Sequence, residues 1–285
     1  MTRAADLRDV LVARIDDTGF AAHGVYVRVG DEIATHRWAP DVREEIHSVA
    51  KAVAVLAAGI AADEGLVSLD EPVADLVETP VADESLTLRH LLSMSSGIDL
   101  PWSDTMMTDW PDLAVEFLSR PSGGRLFQYS NASTYTAMAV LAQRTGDVEE
   151  FLRPRLFSPL GWTEVTWRRC PNGRVLGGEG LALRTDELAR LGLLVRDRGV
   201  WEGHRLVSAD TVDAMHSGWI DTGSPGDGYR RYALGGWEGP GRAWRLHGAH
   251  GQLVVFAGDA VVTVTADDHG GADAVAEFIG NTAAD

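Results

Sequence analysis

The stretch HSVAKAVAVLAAGIAADEG, residues 47 to 65, decides how the rest of this chain is read. Between Lys51 and Asp63 it is an uncharged run of small and aliphatic residues, and it stops at Gly65. That pattern predicts a helix buried on nearly every face. Its first turn holds the only lysine of the chain, since 24 of the 25 basic residues are arginine. Ser48 stands three positions before it, so the two side chains share one helix face. A serine at a helix start sits where backbone N–H groups and the helix dipole favour developing negative charge. A desolvated lysine can ease deprotonation of that serine, or be neutral enough to act as a base, whereas an arginine stays charged. The plain alternative is a helix residue whose stem packs while its amine reaches water.

Upstream, HGVYVRVG (23–30) and EIATHRWA (32–39) surround a Gly-Asp turn and read as an antiparallel hairpin. Ahead of them, MTRAADLRDVLVARIDDTG reads as an amphipathic helix. From residue 65 to about 160 the text is mainly helical, with LTLRHLLSMSSGI (86–98) ending in a Ser-Ser-Gly turn. The loop DLPWSDTMMTDWPD (99–112) has a composition suited to a pocket wall. PSGGRLFQYSNAS (121–133) turns through two glycines before a helix carrying Tyr135, Met138 and Leu141. TDELARLGLLVRDRG (185–199) is a further helix, AWRLHG, QLVVFAG and AVVTVTA return to strand patterns, and GGADAVAEFIGN closes the chain as a helix. The expected fold class is α/β, of the α+β kind: an antiparallel sheet built from both chain ends and flanked by helices, with a helical region inserted. The expected division is a discontinuous sheet domain over 1–62 and 163–285 and a helical region over 63–162, with an active site at their interface.

A length of 285 residues suffices for a sizeable core. The formal charge of −17 argues against nucleic acid, whose phosphates need clustered cations. Such an excess chiefly keeps a chain soluble, with attraction of a cationic substrate as a lesser option. No run reaches the ~18 apolar residues of a membrane span. The N-terminus lacks the apolar run and cleavage site of a secretory signal, and Cys170 has no intramolecular partner. A cytoplasmic protein of unspecified oligomeric state is therefore expected.

Two further clusters carry chemistry. Tyr129-Ser130-Asn131 lies about 80 residues beyond the lysine. A tyrosine near a lysine can have its phenol pKa depressed and relay protons to and from a serine. An asparagine two residues on can hold a substrate amide or support the lysine. Alone, the pair reads equally as a core tyrosine beside a helix N-cap. The other cluster is Arg245-Leu246-His247-Gly248-Ala249-His250-Gly251-Gln252, leaving one strand and entering the next. Small residues there would let a substrate lie against the strand edge, with a backbone N–H facing its carbonyl oxygen, unless the segment is simply a hairpin turn.

Ser-x-x-Lys, Tyr-x-Asn and a Gly-rich third box, in this order and spacing, resemble the serine β-lactamase and penicillin-binding-protein superfamily. GLVSLDEPVADLV, LTLRHLLSMSSGI and GGEGLALRTDELARLGLLVRDRGVWEGHRLVSADTV are similar to its class C β-lactamase-like branch, which includes esterases and 6-aminohexanoate-oligomer hydrolases. The resemblance spans roughly residues 44 to 265. It implies Ser48 as acylated nucleophile, Lys51 as its activator, Tyr129 as proton shuttle and Asn131 as a substrate contact. The oxyanion would be held by the backbone N–H of Ser48 and one from the third box. That box departs from the Lys-Thr-Gly of β-lactamases. Either His247 takes the lysine position, or Gly248-Ala249-His250-Gly251-Gln252 matches the Gly-x-x-Gly-Gln form and Ala249 supplies the N–H. Both readings remove the cation that grips a β-lactam carboxylate.

His247 and His250 are spaced for a shared metal, but on strand text and without the third and fourth ligands a site needs, so no metal or other cofactor is expected. Trp102, Trp110, Trp219 and Trp237 are candidates for pocket walls or core. The function expected is a serine hydrolase acting through an acyl-enzyme on a small ester or amide, with weak or no β-lactamase activity. The alternative is a catalytically silent relative that binds a ligand or partner in the old cleft. A cell-wall peptidase would require export, which the N-terminus does not suggest.

Overall fold

The structure, a computed structural model, describes residues 2–100, 112–224 and 226–283. The chain starts with α1 (Arg3–Thr18), which Thr2 caps by accepting from the Ala5 N–H and Gly19 ends at φ 67°. Ala4, Leu7, Leu11 and Ile15 recur at helical spacing and are its buried side. Strands β1 (Ala22–Val29) and β2 (Glu32–Arg37) form the expected hairpin, with Val29 opposite Glu32. A short β3 (Glu44–Glu45) leads into a 3-10 turn, His47–Val49, that continues directly into α2 (Ala50–Asp63). Ser48 therefore lies in the tighter turn ahead of the α-helix rather than inside it.

The helical stretch follows as α3 (Val73–Leu76), α4 (Leu88–Leu92), α5 (Leu113–Ser119), α6 (Asn131–Thr145) and α7 (Val148–Leu152). The chain then returns through β4 (Ala182–Leu183), which pairs with β3, and α8 (Thr185–Arg196). A small hairpin, β5 (Val200–Trp201) with β6 (His204–Arg205), precedes α9 (Ala209–Ala214). Three two-residue strands come next, β7 (Ile220–Asp221), β8 (Arg231–Tyr232) and β9 (Trp237–Glu238). The long strands β10 (Trp244–Gly248), β11 (Gln252–Ala257) and β12 (Ala260–Ala266) and the helix α10 (Ala272–Thr282) complete it.

Eight strands join in one antiparallel sheet ordered β2-β1-β12-β11-β10-β9-β8-β7, so the first hairpin docks beside the last strand of the chain. The sheet is covered on both faces, and β11 shows why its sequence reads as unbroken apolar text. Leu253 and Val255 pack with α1 and α10, while Val254 and Phe256 pack with α2 and α8. The strands β7 to β9 extend the sheet beyond what the sequence indicates, because two residues are too few to carry a period.

Every residue of α2 from Ala50 to Ala61 is buried, as the small-residue run predicts. Its neighbours come very close: a Cβ on Gly59 would stand 2.3 Å from Thr211 Cγ2 of α9. This helix is the common core of sheet and helical stretch. Among the described residues, no helix is long and apolar enough to cross a membrane. Trp102, Trp110 and most of the 99–112 loop fall in 101–111, outside the described residues, whereas Trp219 packs on the core and Trp237 is buried.

Leu56 is fully enclosed in α2, and truncating such a side chain removes about 2 to 5 kcal/mol. Leu56→Ala is therefore expected to lower the denaturant midpoint by that scale at unchanged m-value, whereas Val10→Ser on the exposed face of α1 should stay within about 0.5 kcal/mol.

Candidate active site

Three pieces of backbone converge on Lys51. The 3-10 turn brings Ser48, whose Oγ lies 3.0 Å from Lys51 Nζ. The start of α6 brings Asn131, whose Oδ1 makes a very short hydrogen bond with the same amine. The loop before β4 brings the Gly178 carbonyl, which accepts from Nζ at 3.0 Å. Lys51 is 2% exposed, so its amine has left water entirely. Burial pushes it down to about 7 from an ordinary 10.5, with the charge of Glu179 pulling the other way.

Tyr129, Ser130 and Asn131 are set by one local device. Ser130 is the N-cap of α6: its Oγ accepts from the Ser133 N–H and donates to the Leu100 carbonyl at 2.5 Å. Upstream, Met94 holds a left-handed φ of 58°, and its carbonyl and sulfur accept the N–H groups of Gln128 and Ser130. The cap and the Met94 turn thus fix the chain on both sides of Tyr129. Its hydroxyl bonds with Ser48, and its ring lies under the amine, with Nζ 4.8 Å from the centroid. Burial pushes the phenol up to about 12, opposed by the Ser48 bond. This corrects the expected depression: Lys51 meets the ring face instead of the phenol oxygen, and desolvation dominates.

The third box packs onto the 3-10 turn. A Cβ on Gly248 would stand 2.3 Å from the Ile46 carbonyl oxygen and 3.3 Å from His47 Cβ, so only glycine allows the approach. Immediately before Ser48, His47 is held at φ 46°. Its ring stacks on that of His250, centroids 4.9 Å apart, and burial lowers its pKa. Ser48 and Ala249 face one cleft of about 590 Å³, walled by Phe127, Tyr129, Tyr229 and Trp237.

His247 and Gly248 line this cleft, and His250 is on its rim, bonded through Nδ1 to Asp267 at 2.9 Å. The His250 N–H is turned to His269 Nδ1. His247 Nδ1 is engaged by Arg245 Nε–H at 3.3 Å and lies 3.1 Å from the Tyr229 hydroxyl. Burial, then the Arg245 charge, pushes the imidazole down to about 4, so it is neutral at ordinary pH. Arg245 is itself buried and tied to Asp273 and the Gly228 carbonyl. A second hollow of about 480 Å³ lies behind Arg245 and Asp273, away from Ser48. Among the described residues no set of three or more His, Cys, Asp and Glu is arranged to hold a metal.

Asn131, expected as a substrate contact, has protein partners on its amide. Its Oδ1 is on Lys51 and its Nδ2 donates to Glu179 Oε2 at 2.9 Å, so both ends of the amide are engaged by the protein. Of the two partners its sequence position allowed, the lysine is the one its oxygen touches. Sequence reasoning missed Gly178 and Glu179. A Cβ on Gly178 would stand 3.1 Å from Lys51 Nζ and 3.0 Å from Asn131 Oδ1. Their one trace in the sequence is GGEG (177–180), an acidic residue bracketed by glycines, which does not point to the lysine as its partner.

The fold as a whole has known counterparts. The sequence profile described as Beta-lactamase matches residues 7–279. No curated protein matches this chain. Among solved structures, a penicillin-binding-protein homolog from Caulobacter crescentus superposes at TM-score 0.79 with 17% identity, over 98% of this chain and 96% of that one. A D-amino acid amidase from Ochrobactrum anthropi SV3 does so at 0.75 with 16% identity, over 96% and 97%. A class C β-lactamase mutant does so at 0.76 with 14% identity, over 99% and 98%. These similarities establish a shared fold, and the profile match over nearly the whole length establishes kinship: the chain belongs to the β-lactamase family.

Proposed function

We propose that this protein is a serine hydrolase that acts on a small ester or amide through an acyl-enzyme at Ser48. The observation that carries this reading is the partner set of Lys51. A neutral amine has two N–H groups and one lone pair. The charged amine donates to Asn131 Oδ1, Gly178 O and, at 3.0 Å, Ser48 Oγ. When it loses a proton, the two carbonyl-type acceptors keep the two N–H groups and the lone pair is left for the Ser48 hydroxyl. With burial bringing the amine to about 7, that base is available at neutral pH.

In the proposed sequence Lys51 accepts the Ser48 proton as Oγ bonds to the substrate carbonyl carbon. The backbone N–H groups of Ser48 and Ala249 hold the oxyanion. Tyr129, still protonated because its phenol is pushed up to about 12, gives its proton to the departing oxygen or nitrogen. Water then replaces the leaving group. It passes a proton to the Tyr129 oxygen, its hydroxide oxygen bonds to the acyl carbon, and Ser48 Oγ leaves with the proton held by Lys51. The cleft offers aromatic walls and a neutral His247, with Arg245 already paired to Asp273. A β-lactam carboxylate finds no unpaired cation among these described residues, which favours uncharged or amine-bearing substrates over β-lactams.

Intact-mass measurement after incubation with mixed esters, linear amides and β-lactams, and with a fluorophosphonate, tests the reading. Wild-type protein should gain one acyl or phosphonyl adduct and Ser48→Ala none; an adduct retained in Ser48→Ala overturns the assignment. Lys51→Arg keeps a cation but removes the base, so kcat/KM should fall by about 10²- to 10⁴-fold. A near wild-type rate would reduce Lys51 to a structural part. Because activity needs the neutral amine, kcat/KM should rise with pH through a midpoint of about 7 and then level off. A flat profile from pH 5 to 9 would contradict Lys51 as base.

A further inference from the structure

The amide of Asn131 is useful to Lys51 in one orientation only. A charged amine has no acceptor site, so the end of the amide turned to it must be the oxygen. Rotated by half a turn, the same side chain would present an NH2 group to the amine and repel it. Asn131 has no bond of its own that prevents this rotation. What prevents it is Glu179, an acceptor on the far side. Its Oε2 takes the Asn131 Nδ2 proton at 2.9 Å, and its Oε1 is held by Arg168 Nη2 at 3.0 Å. The Glu179 side chain is only 18% exposed, and its backbone is anchored as well: the carbonyl accepts from Trp167 Nε1 at 2.9 Å. The next N–H, of Gly180, donates to Glu45 Oε1 at 2.9 Å. The same short loop carries Gly178, whose carbonyl is another acceptor for the amine. Main chain and side chain of 178–179 therefore act on Lys51 from two directions, one directly and one through Asn131.

We propose that Glu179 is a positioning residue for Lys51: it locks the Asn131 amide with its oxygen toward the amine and supplies the buried centre with its counter-charge. This inference rests on the hydrolase reading for its consequence in catalysis, but not for its physical content. The groups around the amine can all be named. The turn before α2 contributes Ser48 and the lowered imidazole of His47. The start of α6 contributes the Tyr129 ring and Asn131. The 178–180 loop contributes Glu179, backed by Arg168, which also lies 3.7 Å from Glu45. Of these, Glu179 is the carboxylate whose charge favours the protonated amine.

The lone lysine makes the test direct. Protein grown with ε-13C-lysine gives a single ε-carbon signal, whose titration reads Lys51 without any substrate. In wild type the midpoint is expected at about 7. Glu179→Gln keeps an acceptor for Asn131 but loses the charge, so its midpoint should move down by about half a pH unit or more. Glu179→Ala loses both, so the midpoint should move down and the Asn131 side-chain N–H signals should lose their protection from exchange. If Glu179→Ala does not fold, Glu179→Gln alone decides. Coincident titrations in wild type and Glu179→Gln overturn the proposal. In turnover, the acid limb of kcat/KM should shift in Glu179→Gln with its plateau kept within about threefold, while Glu179→Ala loses about tenfold or more in kcat at similar KM. Shifted titrations without any adduct at Ser48 would leave this inference standing and remove the hydrolase reading. Adducts at Ser48 with coincident titrations would do the reverse.

Discussion

A single buried amine constrains the whole molecule. Taking Lys51 out of water moves its pKa from 10.5 to about 7. Below the folded value both folded and unfolded chains hold the proton. Between the two values only the unfolded chain does. Folding is therefore penalised by about 4 to 5 kcal/mol at and below neutral pH, a penalty relieved as pH rises toward the ordinary lysine value. Against a typical net stability of about 5 to 15 kcal/mol this is a large tax for one side chain. The surrounding core must offset it, and the continuous burial of α2 is where that offset is found.

The same helix explains why the amine is placed so well. Small residues on α2 let α6, α9 and the sheet approach its backbone from several sides, so its position is fixed by packing rather than by a few polar bonds. Polar contacts then need only orient Nζ, and they come from elements anchored independently. Ser130 caps α6, Trp167 and Glu45 hold the 178–180 loop, and Gly248 seats β10 on the turn containing Ser48. Loss of one orienting contact would misdirect the amine while leaving the helix in place. That separation between positioning and stability makes the roles of Asn131 and Glu179 distinguishable from packing.

Much of this was legible in the sequence, for identifiable reasons. The 50–63 helix announces itself by an unbroken small apolar run, and the hairpin and final strands by β-branched patterns around turns. Ser48 and Lys51 were legible because helix geometry joins residues three apart, and Tyr129 and Asn131 because Tyr-x-Asn, following Ser-x-x-Lys in this order, resembles a family's motif set. Gly178 and Glu179 were not, since their importance lies in a contact across 127 residues to Lys51 and 48 to Asn131. Sequence spacing says nothing about such distances. The pKa of Tyr129 failed for a related reason. Proximity to a lysine suggested a lowered phenol, but which face of the ring meets the amine is a tertiary fact, and here burial outweighs the charge.

The third box shows how the same electrostatic economy shapes the cleft. Of the basic side chains near its wall, Arg245 and His247 offer no free positive charge. His247 is neutral because burial and Arg245 both disfavour its protonation. Arg245 is charged but buried beneath Tyr229, with its guanidinium 5.1 Å from that ring and bonded to Asp273 and the Gly228 carbonyl. Moving Arg245 outward to meet an anionic ligand would break those bonds and leave Asp273 and the Tyr229 hydroxyl to each other. Arg245 is the buried member of its pair with Asp273, which is the exposed one. Drawing the guanidinium outward would therefore strip a buried cation of its partners for one exposed contact with a carboxylate, which returns little. In the proposed enzyme, selectivity against anionic substrates then follows from how the third box is folded, and substituting His247 alone would not reverse it.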